Sequence, residues 1–150
     1  MLNVFLHDNH AIYPVVIRDK EYIFSINRAG RGICQCESYA RAAMQQEDGT
    51  MMIRAIMGDK KAGKRLVELD EEFSLDVKLP NWLADLIWVG WDEIDRDDEN
   101  TGRLTPEVLA REDRIDASLF PIIEKLDGLR ITKSLGPPLA KELLGRKWSA

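Results

Sequence analysis

The hydrophobic pattern divides the chain into a strand-rich first part and a helix-rich remainder. Asn3 to His7 is a short apolar run, and Ala11 to Ile17 is a second, rich in β-branched residues. Tyr22 to Ile26 alternates in the manner of a strand. The four polar residues Arg18-Asp19-Lys20-Glu21 between these runs predict a hairpin. Pro14 lacks an N–H, so it is expected at a strand start or on a sheet edge. Gly30 and Gly32 break the pattern. A short helix is predicted from about Glu37 to Gln46, with Tyr39, Ala40, Ala43 and Met44 at helical spacing. Asp48-Gly49 is a turn signal. Met51 to Met57 reads either as a strand or as a turn of helix, and Gly58 to Lys64 as a polar loop. Arg65 to Leu69 and Phe73 to Leu79 read as two strands paired across Asp70-Glu71-Glu72. Phe73, Leu75, Val77 and Leu79 alternate with Ser74, Asp76 and Lys78, which predicts one buried and one wet face.

The rest of the pattern is helical. Pro80 opens a helix expected to reach about Val89, followed by a charged loop to Leu104. Thr105-Pro106-Glu107 supplies the hydroxyl, proline and early carboxylate of a helix start. Pro121 is expected to divide that helix from a later piece ending at Asp127-Gly128, and Gly136-Pro137-Pro138 to open a last helix with Leu139, Leu143 and Leu144 on one side. Strands first and helices last indicate the α+β class: an N-terminal antiparallel sheet with a short helix, and C-terminal helices packed on it. A length of 150 residues fits one domain, β-rich to about residue 79 and helical from 80 to 150.

Composition narrows the classes. The chain is 45% hydrophobic and 31% charged, a globular balance. No apolar run approaches about 18 residues, so neither a membrane span nor a membrane partner is expected. There is no signal-peptide pattern, and two cysteines make no disulfide framework, so a cytoplasmic location is expected. With 21 basic and 26 acidic residues the net charge is −5, and direct binding to duplex DNA is not expected.

The acids are concentrated. Asp92, Glu93, Asp95, Asp97, Asp98 and Glu99 stand against one base, Arg96, so this stretch carries as much net charge as the whole chain. Such a stretch is either a solubilising loop or a patch that attracts basic surfaces, including those that hold phosphates. Trp82, Trp88 and Trp91 cluster beside it. Trp82 and Trp88, six apart, share a helix face poorly, so they serve either as core or, in one case, as an exposed anchor. Candidate partner contacts are therefore the six acids, with Trp88 or Trp91 as the apolar anchor. Trp148 is a candidate anchor for the last helix.

Three further patterns invite chemistry. Gly58-Asp59-Lys60-Lys61-Ala62-Gly63-Lys64 has the spacing of a phosphate-binding loop. The mechanism needs a hydroxyl on the next residue to hold Mg²⁺, and that residue is Arg65, so a lysine-rich β-turn is the plainer reading. Asp97, Glu99, Thr101, Gly102, Leu104 and Thr105 follow calcium-loop spacing, but the twelfth position is Val108, with Glu107 one place early. His7, His10, Cys34 and Cys36 are the zinc-type ligands, at spacings zinc sites seldom use, and the two histidines flank a turn. No serine elbow, zinc-protease helix or cysteine motif is present. The expectation is a non-enzymatic protein with no cofactor and no metal.

Residues 11–91 resemble the N-terminal domain of Bro-type phage antirepressors. The stretch Tyr13-Pro14-Val15-Val16-Ile17, the turn Arg18 to Glu21 and Tyr22 to Ile26 match that family's opening hairpin. The helical stretch to Gln46 and the turn Glu47-Asp48-Gly49 follow in the same order, and Leu79-Pro80-Asn81-Trp82-Leu83 is similar to a segment of some relatives. Gly30-Arg31-Gly32 and the Cys34-x-Cys36 pair depart from the family pattern. The resemblance implies a small phage or prophage regulator that binds a repressor and removes it from its operator. The expected function is inhibition of a basic, nucleic-acid-binding protein, as an antirepressor or an anti-defence inhibitor. Alternatives are a small virion or tail assembly protein, with homo-oligomers possible, and a weak metal- or nucleotide-binding enzyme.

Overall fold

The computed structural model describes residues 5–96 and 105–135. It is α+β, with an antiparallel sheet at the N-terminal end and helices after it. Strands β1 (Phe5–His7), β2 (His10–Ile17), β3 (Lys20–Ile26), β4 (Arg31–Gln35) and β5 (Leu75–Lys78) form one sheet in the order β1-β2-β3-β4-β5. The helices are α1 (Glu37–Glu47), α2 (Met51–Ile56), α3 (Lys60–Glu72), α4 (Asn81–Arg96) and α5 (Pro106–Leu135). Two compact units result. The first holds the sheet, α4 and α5 as far as Ile122; the second holds α1 to α3 and α5 from Ile123 onward.

The first two hairpins turn tightly. Asp8 and Asn9 have φ of 48° and 61°, and Arg18 and Asp19 have φ of 53° and 64°. Two successive left-handed residues make the turn type whose twist matches that of the paired strands. The second turn therefore takes two residues, not the four expected, and Lys20 and Glu21 pair with Ile17 and Val16. Tyr22, Phe24 and Ile26 point into the core while Glu21 faces water, as strand alternation requires. Pro14 lies inside β2 opposite Ile23, two residues past the Phe5–Ile12 pair that ends the described β1 contact.

The glycines after β3 make a strand instead of ending one. Gly30, at φ 82°, closes the turn into β4, donating to the Asn27 carbonyl at 3.0 Å. Gly32 sits within β4, where an added Cβ would lie 1.7 Å from the Ser25 carbonyl oxygen. Only glycine lets β4 approach β3 this closely. β5 then pairs with β4, Arg31 opposite Lys78 and Cys34 opposite Leu75, and not with Arg65 to Leu69.

Residues 60–72, read as a polar loop, a strand and an acidic turn, are one helix. Asp59 caps it, accepting from the Lys61 and Ala62 N–H groups at 3.0 and 3.2 Å. Ala62 and Leu69 on α3 are buried, as is Phe73 just beyond it. Met51 to Ile56, open between strand and helix in the sequence, is helical. In the same unit Arg130 is fully buried. Its Nε lies 3.4 Å from the Phe73 carbonyl, Nη1 lies 3.5 Å from Asp127, and the guanidinium lies 5.9 Å from the Tyr39 ring. Burial first, and then the Asp127 charge, pushes the Tyr39 hydroxyl up.

Pro121 does not end α5. Its missing N–H costs a helix about 3 kcal/mol. Ile115, Leu119, Ile123, Leu126 and Arg130 nevertheless form a continuous buried stripe on either side of it. That burial, at about 1.5–3 kcal/mol for each large apolar side chain, outweighs the break. The last helix expected after Gly136, and with it Trp148, lies outside the described residues.

Gly32→Ala should lower stability by about 3 kcal/mol or prevent folding, because the obstacle is backbone. At Gly49 an added Cβ meets nothing within 4 Å, so Gly49→Ala should stay within about 0.5 kcal/mol of the unchanged protein. Urea denaturation of both variants decides this, and similar midpoints would contradict the close approach.

Candidate protein-binding site

Helix α4 brings the sequence candidates together. Leu83, Ala84, Ile87 and Trp88 lie on its buried face, while Trp82, Asp85 and Val89 face water. The Pro80 carbonyl accepts from the Leu83 and Ala84 N–H groups, starting the helix. The helix continues past Val89 to Arg96, so Asp92, Glu93 and Asp95 belong to its last two turns and not to a loop.

Trp88 is 4% exposed and belongs to the core, which corrects its reading as a surface anchor. Its indole N–H donates to the Asn27 carbonyl at 2.8 Å, satisfying the one polar group of the ring. Arg28 stacks over the ring at 3.9 Å and donates through both terminal nitrogens to Asp92, at 2.8 Å each. Trp88 and Asp92 are one helical turn apart, so a single guanidinium spans both. Glu93 accepts a second arginine fork from Arg111 of α5, at 2.8 and 2.7 Å. That hydrogen-bonded carboxylate raises the Arg111 pKa despite partial burial.

Asp92 and Glu93 are thus matched by arginines within their own unit. Trp91 is partly exposed on the same helix. The Asp95 side chain, and all of Asp97, Asp98 and Glu99, lie outside the described residues. Among the described residues the most exposed tryptophan is Trp82, at 46%, with the Arg114 guanidinium 4.9 Å from its ring. Arg28, Arg111 and Arg114 carry no local signal. Arg28 meets Asp92 across 64 residues, and nothing near it in sequence points there.

Carboxylates also crowd Tyr13 in this unit. Its hydroxyl donates to Asp116 at 2.7 Å. Burial first, then Asp116, pushes the Tyr13 hydroxyl well up, and Glu112 and Asp113 add to the effect. Burial also holds the Asp116 carboxyl above its usual range, with the Tyr13 bond opposing and Asp113 reinforcing.

The remaining candidate sites are put to structural use. Asp59 already occupies the N–H groups at the start of α3 that would cradle a phosphate, and the lysine-rich β-turn is helix. At the end of the calcium-type stretch, the Thr105 hydroxyl caps α5 by accepting from the Val108 N–H at 3.2 Å, and Val108 is buried. Asp97, Glu99, Thr101, Gly102 and Leu104 lie outside the described residues. His7 and His10 face each other across the first hairpin, where His7 pairs with Asp8 at 3.2 Å and His10 lies 2.8 Å from the Asp8 carbonyl. Cys34 lies in β4 with its side chain in the core, and Cys36 is the buried N-cap residue of α1. Among the described residues no three His, Cys, Asp or Glu side chains gather as a metal site.

Asp116 sets a pH slope of defined sign. A carboxyl held above its unfolded value favours folding while protonated and loses that contribution as pH rises through its folded value. Asp116→Asn keeps an acceptor for Tyr13 and removes the titration. Its stability relative to the unchanged protein should therefore rise as pH climbs from about 4, the ordinary carboxylate range, through the higher folded value. A difference flat with pH in chemical denaturation would show that Asp116 is not so held.

Comparison of the chain with protein-family models, curated proteins and solved structures gave no match.

Proposed function

We propose that this chain is a small non-enzymatic regulator that binds and inhibits a nucleic-acid-binding protein, meeting its basic surface with the acidic end of α4 and the residues that follow. The observation that carries the reading is the division of labour among the acids. Asp92 and Glu93 are engaged by Arg28 and Arg111, which fixes the base of the stretch to the first unit. The other acids of the stretch, to which the reading assigns the partner, are Asp95, Asp97, Asp98 and Glu99, against Arg96 alone in sequence. Trp91, partly exposed, replaces buried Trp88 as the apolar anchor. The acidic balance of the chain and its resemblance to Bro-type antirepressors support the same reading.

Asp95→Asn, Asp97→Asn and Asp98→Asn together test it, since Asp92 and Glu93 keep their arginines. Tagged full-length protein and the triple variant are used as baits in bacterial lysate at low and moderate salt, with capture read by mass spectrometry. The unchanged bait should retain one nucleic-acid-binding protein, released as salt rises. At about 0.5 kcal/mol for each exposed charge the triple variant should bind it about ten-fold more weakly and with less salt dependence. Equal capture by both baits would remove the acids from the mechanism.

A further inference from the structure

The second unit carries a surface of opposite character. Ile53, Ile56 and Met57 lie on one face at the end of α2, 64%, 76% and 81% exposed. Ile56 and Met57 are the two most exposed large apolar side chains among the described residues. The chain turns at Gly58 and enters α3, whose first two turns present Lys60, Lys61 and Lys64 to water. The neighbouring charges are already engaged: Arg54 with Asp48 and Asp59, and Arg65 with Glu47 and Glu68. Asp59 also caps α3. Among the described residues the three lysines make no ion pair, and set against the two arginines and their four acids they leave the corner apolar with a net charge of +1.

We propose that this α2–α3 corner docks on an anionic lipid surface, with Ile53, Ile56 and Met57 entering the boundary between headgroups and acyl chains and the lysines meeting the lipid phosphates. A segment too short to span a membrane can still lie on one, and what it needs is apolar reach and positive charge. Charge complementarity selects an anionic occupant, and the exposed aliphatic and thioether groups select an apolar one. Duplex nucleic acid would satisfy the lysines but leave Ile56 and Met57 in water. A specific protein interface draws on aromatic and arginine anchors, and here the arginines are committed and no aromatic side chain is present. Lysine is a point charge on a flexible stem, suited to a fluid array of phosphates where no fixed geometry must be met.

Flotation of the full chain with phosphatidylcholine vesicles, with and without about 30% phosphatidylserine, tests the proposal. The protein should float with the anionic vesicles, much less with the neutral ones, and be released by salt. Lys60→Glu, Lys61→Glu and Lys64→Glu together should reduce partitioning about a hundred-fold, since each lysine near an anionic surface is worth about five-fold. Ile56→Gln with Met57→Gln should reduce it at unchanged charge. Both sets replace exposed side chains, and unchanged circular dichroism confirms the fold. Asp95→Asn, Asp97→Asn and Asp98→Asn together should float as the parent does, which keeps this surface distinct from the acidic one. Absence of flotation, equal flotation with neutral vesicles, or binding insensitive to the Ile56 and Met57 changes would overturn the proposal. So would a dimer in light scattering that the Ile56 and Met57 changes dissolve, because a second copy would then cover the face.

Discussion

The turn Asn27 to Gly30 is the joint on which the first unit depends. The Asn27 side chain accepts from the Ala29 and Arg31 N–H groups, and its carbonyl accepts from Gly30 and from the Trp88 indole. Gly30 in turn accepts from the Leu79 N–H at 2.9 Å, and Lys78 reaches back to the Ala29 carbonyl. One short turn therefore joins β3, β4, the end of β5 and α4. Its backbone polar groups would be costly to bury without partners, and the partners come from three separate stretches of chain. Arg28, within the turn, carries the connection outward to Asp92 and places the acidic end of α4.

The arginines in the described part of the molecule are largely spent on holding it together. Arginine takes the bidentate and stacked roles: Arg28 on Trp88 and Asp92, Arg111 on Glu93, Arg65 on Glu47. Its rigid fork matches a carboxylate in a way that the lysine ammonium does not. Lysines, by contrast, gather exposed at the start of α3, and in sequence acids gather beyond Glu93. Two surfaces of opposite sign on one chain argue for two different occupants, since a single partner complementary to one is repelled by the other. The buried Arg130 completes the pattern in the second unit, set between Asp127, the Phe73 carbonyl and the Tyr39 ring.

Each motif that suggested chemistry has, among the described residues, members that serve as helix caps or core. Asp59 stands where a phosphate would, Val108 is buried where a bidentate ligand belongs, and Cys34 and Cys36 are buried. Short polar side chains at helix starts satisfy N–H groups that have no partner in the helix itself, and the same residue types at the same places imitate ligand loops.

The sequence by itself determined what depends on near neighbours. The β-branched run in residues 11–17 and the alternation in 22–26 specified strands, the alternation after Phe73 specified a strand that proves to be only Leu75–Lys78 and half-buried, the 3.6-residue spacing specified α1, and Thr105-Pro106-Glu107 specified the start of α5. The concentration of acids after Trp91 was legible too. Tertiary structure decided the rest. β4 exists because Ser25 and Gly32 meet across the sheet, α3 because a buried face outweighs Gly63 and the turn-like lysines, and α5 passes Pro121 because its apolar stripe is buried on both sides. It also decided that Asp92 and Glu93 are engaged within the molecule, since Arg28 and Arg111 reach them from 64 and 18 residues away. Local pattern reports the cost of each backbone conformation. The burial and charge pairing that offset the cost come from residues distant in sequence, and only folding brings them within reach.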